Sequence, residues 1–235
     1  MKNVIIYLVC TVALFVAIVL TCGGGFYTLA YTSDKKYTGI DVAKALEIYK
    51  ENKDTGKDII AVFVADCSGS MSGDPMLQLK ESLSNGMNYI NSNNLVGLVS
   101  YSTDVTIEVP IAKFDFNQKA YFQGAINNMW ASGGTATYEA VAVAMDMVKK
   151  AKADNPDAKT MIFVLSDGHA NGKFDMSDIE PALKEEGIPV YTIGYTSSAD
   201  MNALQKLSDI NEAASINADS EDIVYKIKSL FNSSL

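Results

Sequence analysis

The stretch IIAVFVADCSGSM, residues 59–71, decides the fold of this chain. Its first seven residues are apolar without interruption, which is typical of a central strand buried on both faces of a sheet. Asp66, Ser68 and Ser70 follow at a spacing of two. In open parallel sheets, ligand sites lie outside the carboxyl ends of the strands. A carboxylate and two hydroxyls at that position suit a hard cation, Mg²⁺ or Mn²⁺, better than zinc.

Outward from this stretch, apolar runs alternate with amphipathic segments. The pattern predicts strands at 95–101, 105–111, 159–165, 189–194 and 214–217, and helices at 74–90, 117–129, 138–152, 177–186, 200–208 and 220–231. Strands that alternate with helices indicate an α/β fold with a doubly wound, mainly parallel sheet and helices on both faces. Only three residues separate the strands at 95–101 and 105–111, so the second of these is expected to be an antiparallel edge strand.

Asp74 is predicted to cap the first of these helices, because Pro75 follows it and proline is favoured in the first helical turn.

Two further polar segments stand at ends of these elements. WASGGTAT, residues 130–137, leads into the helix at 138–152, and the strand at 159–165 is followed by Ser166 and Asp167. Helix N-termini present unpaired amides and hydroxyl caps, so the segments could share one site if they are neighbours. Trp130 and Tyr138 stand at either end of the first segment. Each is either a candidate contact for a ligand at the rim of the site or a residue of the hydrophobic core.

Helix capping is the simpler explanation for each polar residue taken alone. Asp66 and Ser70 could cap the helix that begins near Pro75, and Thr135 could cap the helix that follows it. His169, the only histidine, is expected on a surface loop. Three polar loops at strand ends and helix starts together favour a metal site over separate caps.

The three segments also resemble a known family. DCSGSM at 66–71, GGTAT at 133–137 and LSDG at 165–168, in that order, look like the metal-ion-dependent adhesion site of the von Willebrand factor A (VWA) domain family. The resemblance covers about residues 57–235 and implies a Rossmann-like VWA fold. Carried over residue by residue, it implies that the metal site consists of Asp66, Ser68, Ser70, Thr135 and Asp167. It also implies binding of a protein ligand that supplies an acidic side chain to the ion.

The residue types are consistent with that role. Hydroxyls are neutral ligands, so Ser68, Ser70 and Thr135 can bind a cation directly while Asp66 and Asp167 hold metal-bound waters. The ion then keeps most of its charge for an incoming carboxylate. Alternation along the chain turns Cys67 away from the ion, and we expect it to be a small buried residue.

Composition restricts the partners and the number of domains. The chain has 28 acidic residues and 19 lysines, and its formal charge is −9, which argues against a nucleic-acid partner. Its 235 residues suffice for one domain with a substantial core once the first thirty are set aside. Three cysteines, two of them in or beside the N-terminal apolar run, indicate no disulfide framework.

The N-terminal segment predicts a membrane anchor. Residues 4–22 are uncharged, and as a helix they would span roughly 28 Å, close to the thickness of a bilayer core. With Lys2 in the cytoplasm, the rest of the chain would be extracytoplasmic. Cleavage of a signal peptide near Ala30, giving a secreted protein, and lipid modification of Cys22 remain alternatives. The expected organisation is an anchor or signal segment at 1–30, a spacer and helix at 31–57, and a VWA domain at 58–235.

Three functions are compatible with this reading. The preferred one is a membrane-anchored, extracytoplasmic module that binds a protein partner through a divalent cation; the second is a scaffold or assembly factor beside an ATPase or an envelope complex. The third is a magnesium-dependent phosphoryl-transfer enzyme with Asp66 as the nucleophile. Such enzymes need a second carboxylate two residues on, where Ser68 stands, and the chain has no GxSxG, GxxxxGK or dinucleotide glycine pattern. We therefore expect no catalytic residue.

Overall fold

The computed structural model describes residues 58–167, 169–195 and 199–213, together with the backbone of strands at 17–22, 25–30 and 215–217. The chain divides into two compact units, Met1–Glu51 and Asn52–Leu235. The helices predicted within 31–57 and at 220–231 lie outside the described residues.

The first unit contains a two-stranded antiparallel pair, β1 (Ala17–Cys22) and β2 (Gly25–Ala30). The helix predicted over residues 4–22 is therefore wrong for residues 17–22, and the earlier part of that run lies outside the described residues. Ile18, Val19 and Thr21 are β-branched, and a Gly-Gly sequence between two apolar runs favours a hairpin turn. No helix in the described part of the chain is long and apolar enough to cross a membrane.

The second unit is built on a six-stranded sheet. Its strands are β3 (Ile59–Asp66), β4 (Leu95–Tyr101), β5 (Val105–Lys113), β6 (Lys159–Ser166), β7 (Val190–Gly194) and β8 (Ser215–Asn217). Their order across the sheet is β5, β4, β3, β6, β7, β8. Every neighbouring pair is parallel except β4 and β5, which are antiparallel. The predicted mainly parallel sheet with one antiparallel edge strand is confirmed.

Helices connect the strands. They are α1 (Asp74–Gly86), α2 (Phe116–Asn128), α3 (Thr137–Asp154), α4 (Met176–Glu186) and α5 (Met201–Asp209), with short 3₁₀ turns at Gly69–Met71 and Met87–Tyr89. The predicted bounds of α2 to α5 agree to within two residues. The prediction that Asp74 caps α1 is wrong. Gly73 is the N-cap, with a φ of 82° that favours glycine, and Asp74 is the first helical residue.

Both faces of the sheet are covered by apolar side chains. On one face the ring of Phe63 stacks on that of Phe163 at 5.0 Å and meets Phe122 of α2 edge-on at 5.9 Å. On the other, Val62 and Val64 belong to a buried cluster with small residues of α3 such as Ala140 and Ala144. All eight residues of β3 are buried, so the strand is a rigid support for the polar loop at its carboxyl end.

Candidate metal centre

The first loop leaves β3 at Asp66, whose side chain is 0% exposed. Its Oδ1 accepts a hydrogen bond from the Ser68 N–H at 2.8 Å, and its Oδ2 accepts one from Ser166 Oγ at 2.6 Å and one from the Tyr101 hydroxyl at 3.1 Å. The Oγ atoms of Ser68 and Ser70 are 3.0 Å apart. Two hydroxyl oxygens therefore lie side by side next to an immobilised carboxylate.

Electrostatics at this carboxylate favour a cation. Burial is the largest cause that raises the pKa of Asp66, and the nearby charge of Asp167 raises it further, while hydrogen bonds from Ser166 and Ser68 act in the opposite direction. Asp66 and Asp167 are thus close enough to repel each other when both are ionised. A divalent cation would relieve that repulsion and stabilise both charges.

The donors present fit a hard cation. Within the described residues, no three histidine, cysteine, aspartate or glutamate side chains are grouped as a metal site. The oxygens beside Asp66 are the hydroxyls of Ser68 and Ser70, which are neutral ligands suited to a hard cation. Cys67 is buried in the core cluster that contains Phe63 and Met71, as expected. Burial raises the pKa of its thiol to about 12, so the thiol is neutral at physiological pH and a poor ligand.

The second loop lies directly beside the first. The Gly69 N–H donates to the Gly133 carbonyl at 3.1 Å, and the Ser132 N–H donates to the Cys67 carbonyl at 2.8 Å. Thr135, which follows in this loop, is 4% exposed. Two predicted ligand-bearing segments, distant in sequence, are therefore joined through their backbones.

A contact with the β4–β5 connection shapes the second loop. Gly133 has φ of 76°, and a Cβ added there would lie 2.7 Å from Thr103 Oγ1. The same hydroxyl accepts a hydrogen bond from the Gly134 N–H at 2.9 Å. Gly133 must be glycine both for its left-handed conformation and for this close approach.

The third loop begins at Asp167, which is 3% exposed at the end of β6. Its carbonyl accepts a hydrogen bond from the Asp200 N–H at 2.8 Å, and its Oδ1 accepts one from the His169 N–H at 3.3 Å. His169 is exposed, as predicted. Because β6 pairs in parallel with β3, this loop lies at the same end of the sheet as the first.

The second and third loops are also joined to each other. The Thr135 N–H donates to Asn171 Oδ1 at 2.7 Å, and the Asn171 N–H donates to the Thr135 carbonyl at 2.9 Å. Sequence reasoning missed Asn171, and it also missed Tyr101 and Ser166 as partners of Asp66. Tyr101 and Ser166 are the last residues of the two parallel strands next to β3, and this position could have indicated from the sequence that they contact Asp66. No sequence feature marks Asn171 in a comparable way.

Simple capping does not account for these residues. The N-cap residues of α1 and α3 are Gly73 and Ala136, and neither helix start has a side-chain cap hydrogen bond. Trp130 is 71% exposed and is therefore not a core residue, whereas Tyr138 packs partly buried against a core cluster. Of the two candidate rim residues, Trp130 is the more accessible to a ligand.

Comparison with known proteins identifies the family. Residues 61–232 match the von Willebrand factor type A domain. The chain belongs to the VWA domain family. Mouse inter-alpha-trypsin inhibitor heavy chain H2 is 27% identical to it over 158 residues, which cover 64% of this chain and 17% of that protein. The chain thus spans less than a fifth of the length of this relative.

Solved structures share the fold. A von Willebrand factor type A protein from Catenulispora acidiphila has a TM-score of 0.67 and 20% identity, over 76% of this chain and 43% of that one. The manganese-loaded TRAP protein of Plasmodium vivax has a TM-score of 0.57 and 16% identity, over 73% of this chain and 72% of that one. At these identities the similarity extends to the fold alone.

Proposed function

We propose that this VWA domain binds one Mg²⁺ or Mn²⁺ ion and, through it, an acidic side chain of a protein partner. The hydroxyls of Ser68, Ser70 and Thr135 would hold the ion, with Asp66 and Asp167 orienting its waters. The observation that carries the proposal is the pair of serine hydroxyls, 3.0 Å apart, beside the buried Asp66 carboxylate. The manganese-loaded TRAP structure supports it, because a related fold there holds a divalent ion.

The chain's own residues would set the chemistry of binding. Asp66 accepts hydrogen bonds at both carboxylate oxygens, so it is held in one orientation and supplies charge without moving. The hydroxyl ligands add no negative charge. When bound, the ion supplies a positive centre with room for one anionic oxygen, and a charge-assisted contact of that kind outweighs what a neutral side chain can offer.

The same geometry disfavours the enzyme alternative. A nucleophilic Asp66 would need a free, accessible oxygen, but the side chain is 0% exposed and both of its oxygens accept hydrogen bonds. Ser68 also stands where a second carboxylate would be needed. A binding module is therefore the better function for this site, in keeping with the adhesion and interaction roles typical of VWA domains.

The proposal includes an extracytoplasmic location with membrane attachment through the N-terminal segment, supported by Lys2 and the uncharged sequence of residues 4–16, since residues 17–22 form β1 and do not extend a spanning helix. Fractionation and protease treatment of intact cells test it. We expect the chain in the membrane fraction and cleavage of the VWA domain by external protease. Protection in intact cells but not in lysed cells would contradict the outward orientation and favour the scaffold role, and recovery in the medium would indicate a cleaved signal.

Capture of a partner with and without a chelator tests the binding mechanism. We expect chelator to release the partner and Mg²⁺ to restore binding. Thr135→Val removes the hydroxyl while keeping the side-chain shape, and Thr135→Ser keeps the hydroxyl; only Thr135→Val should abolish binding.

Changing the partner's interface acids one at a time to amides should identify one residue on which binding depends. Binding that survives both metal removal and every such change would overturn the proposal.

A further inference from the structure

A short segment after the Asp167 loop is held by a carboxylate from α3. Glu139 Oε1 accepts hydrogen bonds from the backbone N–H groups of Lys173 and Phe174, the latter at 3.0 Å. Glu139 lies in the first turn of α3, which starts two residues after Thr135. We call this contact between Glu139 and residues 172–174 the Glu139 latch.

The latch requires a close fit. A Cβ at Gly172 would lie 2.6 Å from Glu139 Oε1 and closer still to Oε2, so only glycine leaves room for the carboxylate. Oε2 is buried and has no hydrogen-bond partner among the described residues. An exposed glutamate would turn both oxygens to water, because a buried acceptor without a partner costs free energy. The two backbone bonds therefore hold this side chain in a position that solvation alone would not favour.

The latch connects two of the three loops at the metal centre. Asn171, directly before it, makes the two hydrogen bonds to the Thr135 backbone, and Asp167 lies four residues before Asn171. Together the contacts of Asn171 and Glu139 tie the chain that follows Asp167 to the chain around Thr135. If this connection loosened, the distance between Thr135 and Asp167 would change, and both belong to the proposed ion site.

We propose that Glu139 is a positioning residue that sets the cation affinity of the metal centre by holding the Asp167 loop against the Thr135 loop, without binding the ion itself. This inference rests on the proposed metal-binding function. Groups that orient the ligands of a metal without touching it typically change affinity by about 10-fold to 100-fold when removed. Glu139 acts here through two backbone amides, so the arrangement of its acceptor oxygen matters more than its charge.

Four variants of the full chain separate these effects. Glu139→Ala removes the latch, and Glu139→Gln keeps one acceptor oxygen for both N–H groups but no charge. Gly172→Ala displaces the carboxylate by a methyl group, and Glu180→Ala removes a surface glutamate of α4 as a matched control. For each, Mn²⁺ and Mg²⁺ affinity is measured by titration calorimetry, and amide hydrogen exchange is measured on the metal-free protein.

We expect Glu139→Ala and Gly172→Ala to weaken cation affinity by about 10-fold or more, and Glu139→Gln and Glu180→Ala to stay within about twofold. In the metal-free protein, exchange at Lys173 and Phe174 should accelerate in the first two variants while the amides of β3 stay protected. Gly172→Ala provides the same test should Glu139→Ala fail to fold.

Three results would overturn the inference. Affinity unchanged in Glu139→Ala would show that the latch does not set it. Equal losses in Glu139→Gln and Glu139→Ala would assign the effect to charge. Accelerated exchange throughout β3 would assign it to general destabilisation. A wild-type chain that binds neither cation would instead refute the proposed function itself, so the two failures are distinguishable.

Discussion

The first loop of the metal centre and the other two loops are assembled in different ways. Asp66 is bonded to the Ser68 backbone two residues away, and the Ser68 hydroxyl lies against that of Ser70, again two residues away. Thr135 is instead bonded to Asn171, 36 residues away. The first loop thus organises its serine hydroxyls and Asp66 Oδ1 by local contacts at the end of a rigid strand, and only Asp66 Oδ2 is bonded to distant residues. The connection between the second and third loops depends instead on residues brought together by the fold.

This difference predicts how each loop responds to mutation. In the first loop, removal of a ligand should delete cation binding and leave the fold intact, because β3 and its core contacts do not depend on the serine hydroxyls. In the other loops, loss of a positioning contact should affect both local order and affinity. The following predictions test this contrast, beginning with the largest expected effect.

Ser68→Ala should abolish stabilisation by cations. If only the folded state assembles the site, the wild-type chain gains on the order of 2.7 kcal/mol at a cation concentration about 100 times the dissociation constant. Without the Ser68 hydroxyl that gain should vanish, while the stability of the metal-free protein changes little. Thermal unfolding with Mg²⁺, Mn²⁺ or chelator measures both quantities. Ser72→Ala, at an exposed position in the same segment, is the control and should respond like the wild type.

A melting temperature of the wild-type chain that is indifferent to Mg²⁺, Mn²⁺ and chelator would contradict the metal assignment. A full cation response in Ser68→Ala would contradict only the role of Ser68 as a ligand and would leave the metal assignment in place.

Gly133→Ala should destabilise the second loop by about 1–3 kcal/mol, because alanine at a positive φ is strained and its Cβ would collide with Thr103. Gly124→Ala is the matched control. Gly124 lies within α2 with no atom near its would-be Cβ, so alanine there should stabilise the protein by about 0.5–1 kcal/mol. Denaturant unfolding of the two variants should give shifts of opposite sign; equal shifts would show that the Gly133 conformation is not constrained.

Tyr101→Phe should have a smaller effect, a loss of about 1 kcal/mol. The Tyr101 hydroxyl donates to Asp66 and accepts from Thr137 Oγ1 at 3.4 Å, but Asp66 Oδ2 keeps its shorter bond from Ser166. Denaturant unfolding measures the loss, and calorimetry should show cation affinity lowered only slightly. Abolished cation binding would instead mean that the bond from Ser166 alone does not hold Asp66 in its orientation.

Glu180→Gln should have the smallest effect, at most about 0.5 kcal/mol. The Glu180 carboxylate pairs with Lys184 at 2.6 Å, but both side chains are exposed on α4. Thermal unfolding at low and high salt should detect little difference from the wild type at either. A larger loss than that of Tyr101→Phe would reverse the expected order, in which contacts at the loops matter more than contacts on the surface.

Much of the fold was predictable because its signals are local. The apolar run of β3 indicated a buried central strand, and the short connection after β4 indicated an antiparallel edge. The cap of α1 was wrongly predicted because Asp74-Pro75 is a common start signal, and only the backbone conformation of Gly73 moved the cap by one residue. Residues 17–22 were wrongly predicted as helix because an unbroken apolar run does not distinguish a helix from paired strands.

By itself, the sequence determined the order of strands and helices and the place of Cys67 in the core, since both follow from periodicity along the chain. The five candidate ligand positions came from the resemblance of three sequence segments to the VWA family. The tertiary structure alone decided that Ser166 and Tyr101 orient Asp66, that Gly133 meets Thr103, and that Glu139 and Asn171 connect the later loops. These contacts join residues tens of positions apart. The order of the strands in the sheet decides which of these residues meet, and no local sequence pattern indicates which loops that order places side by side.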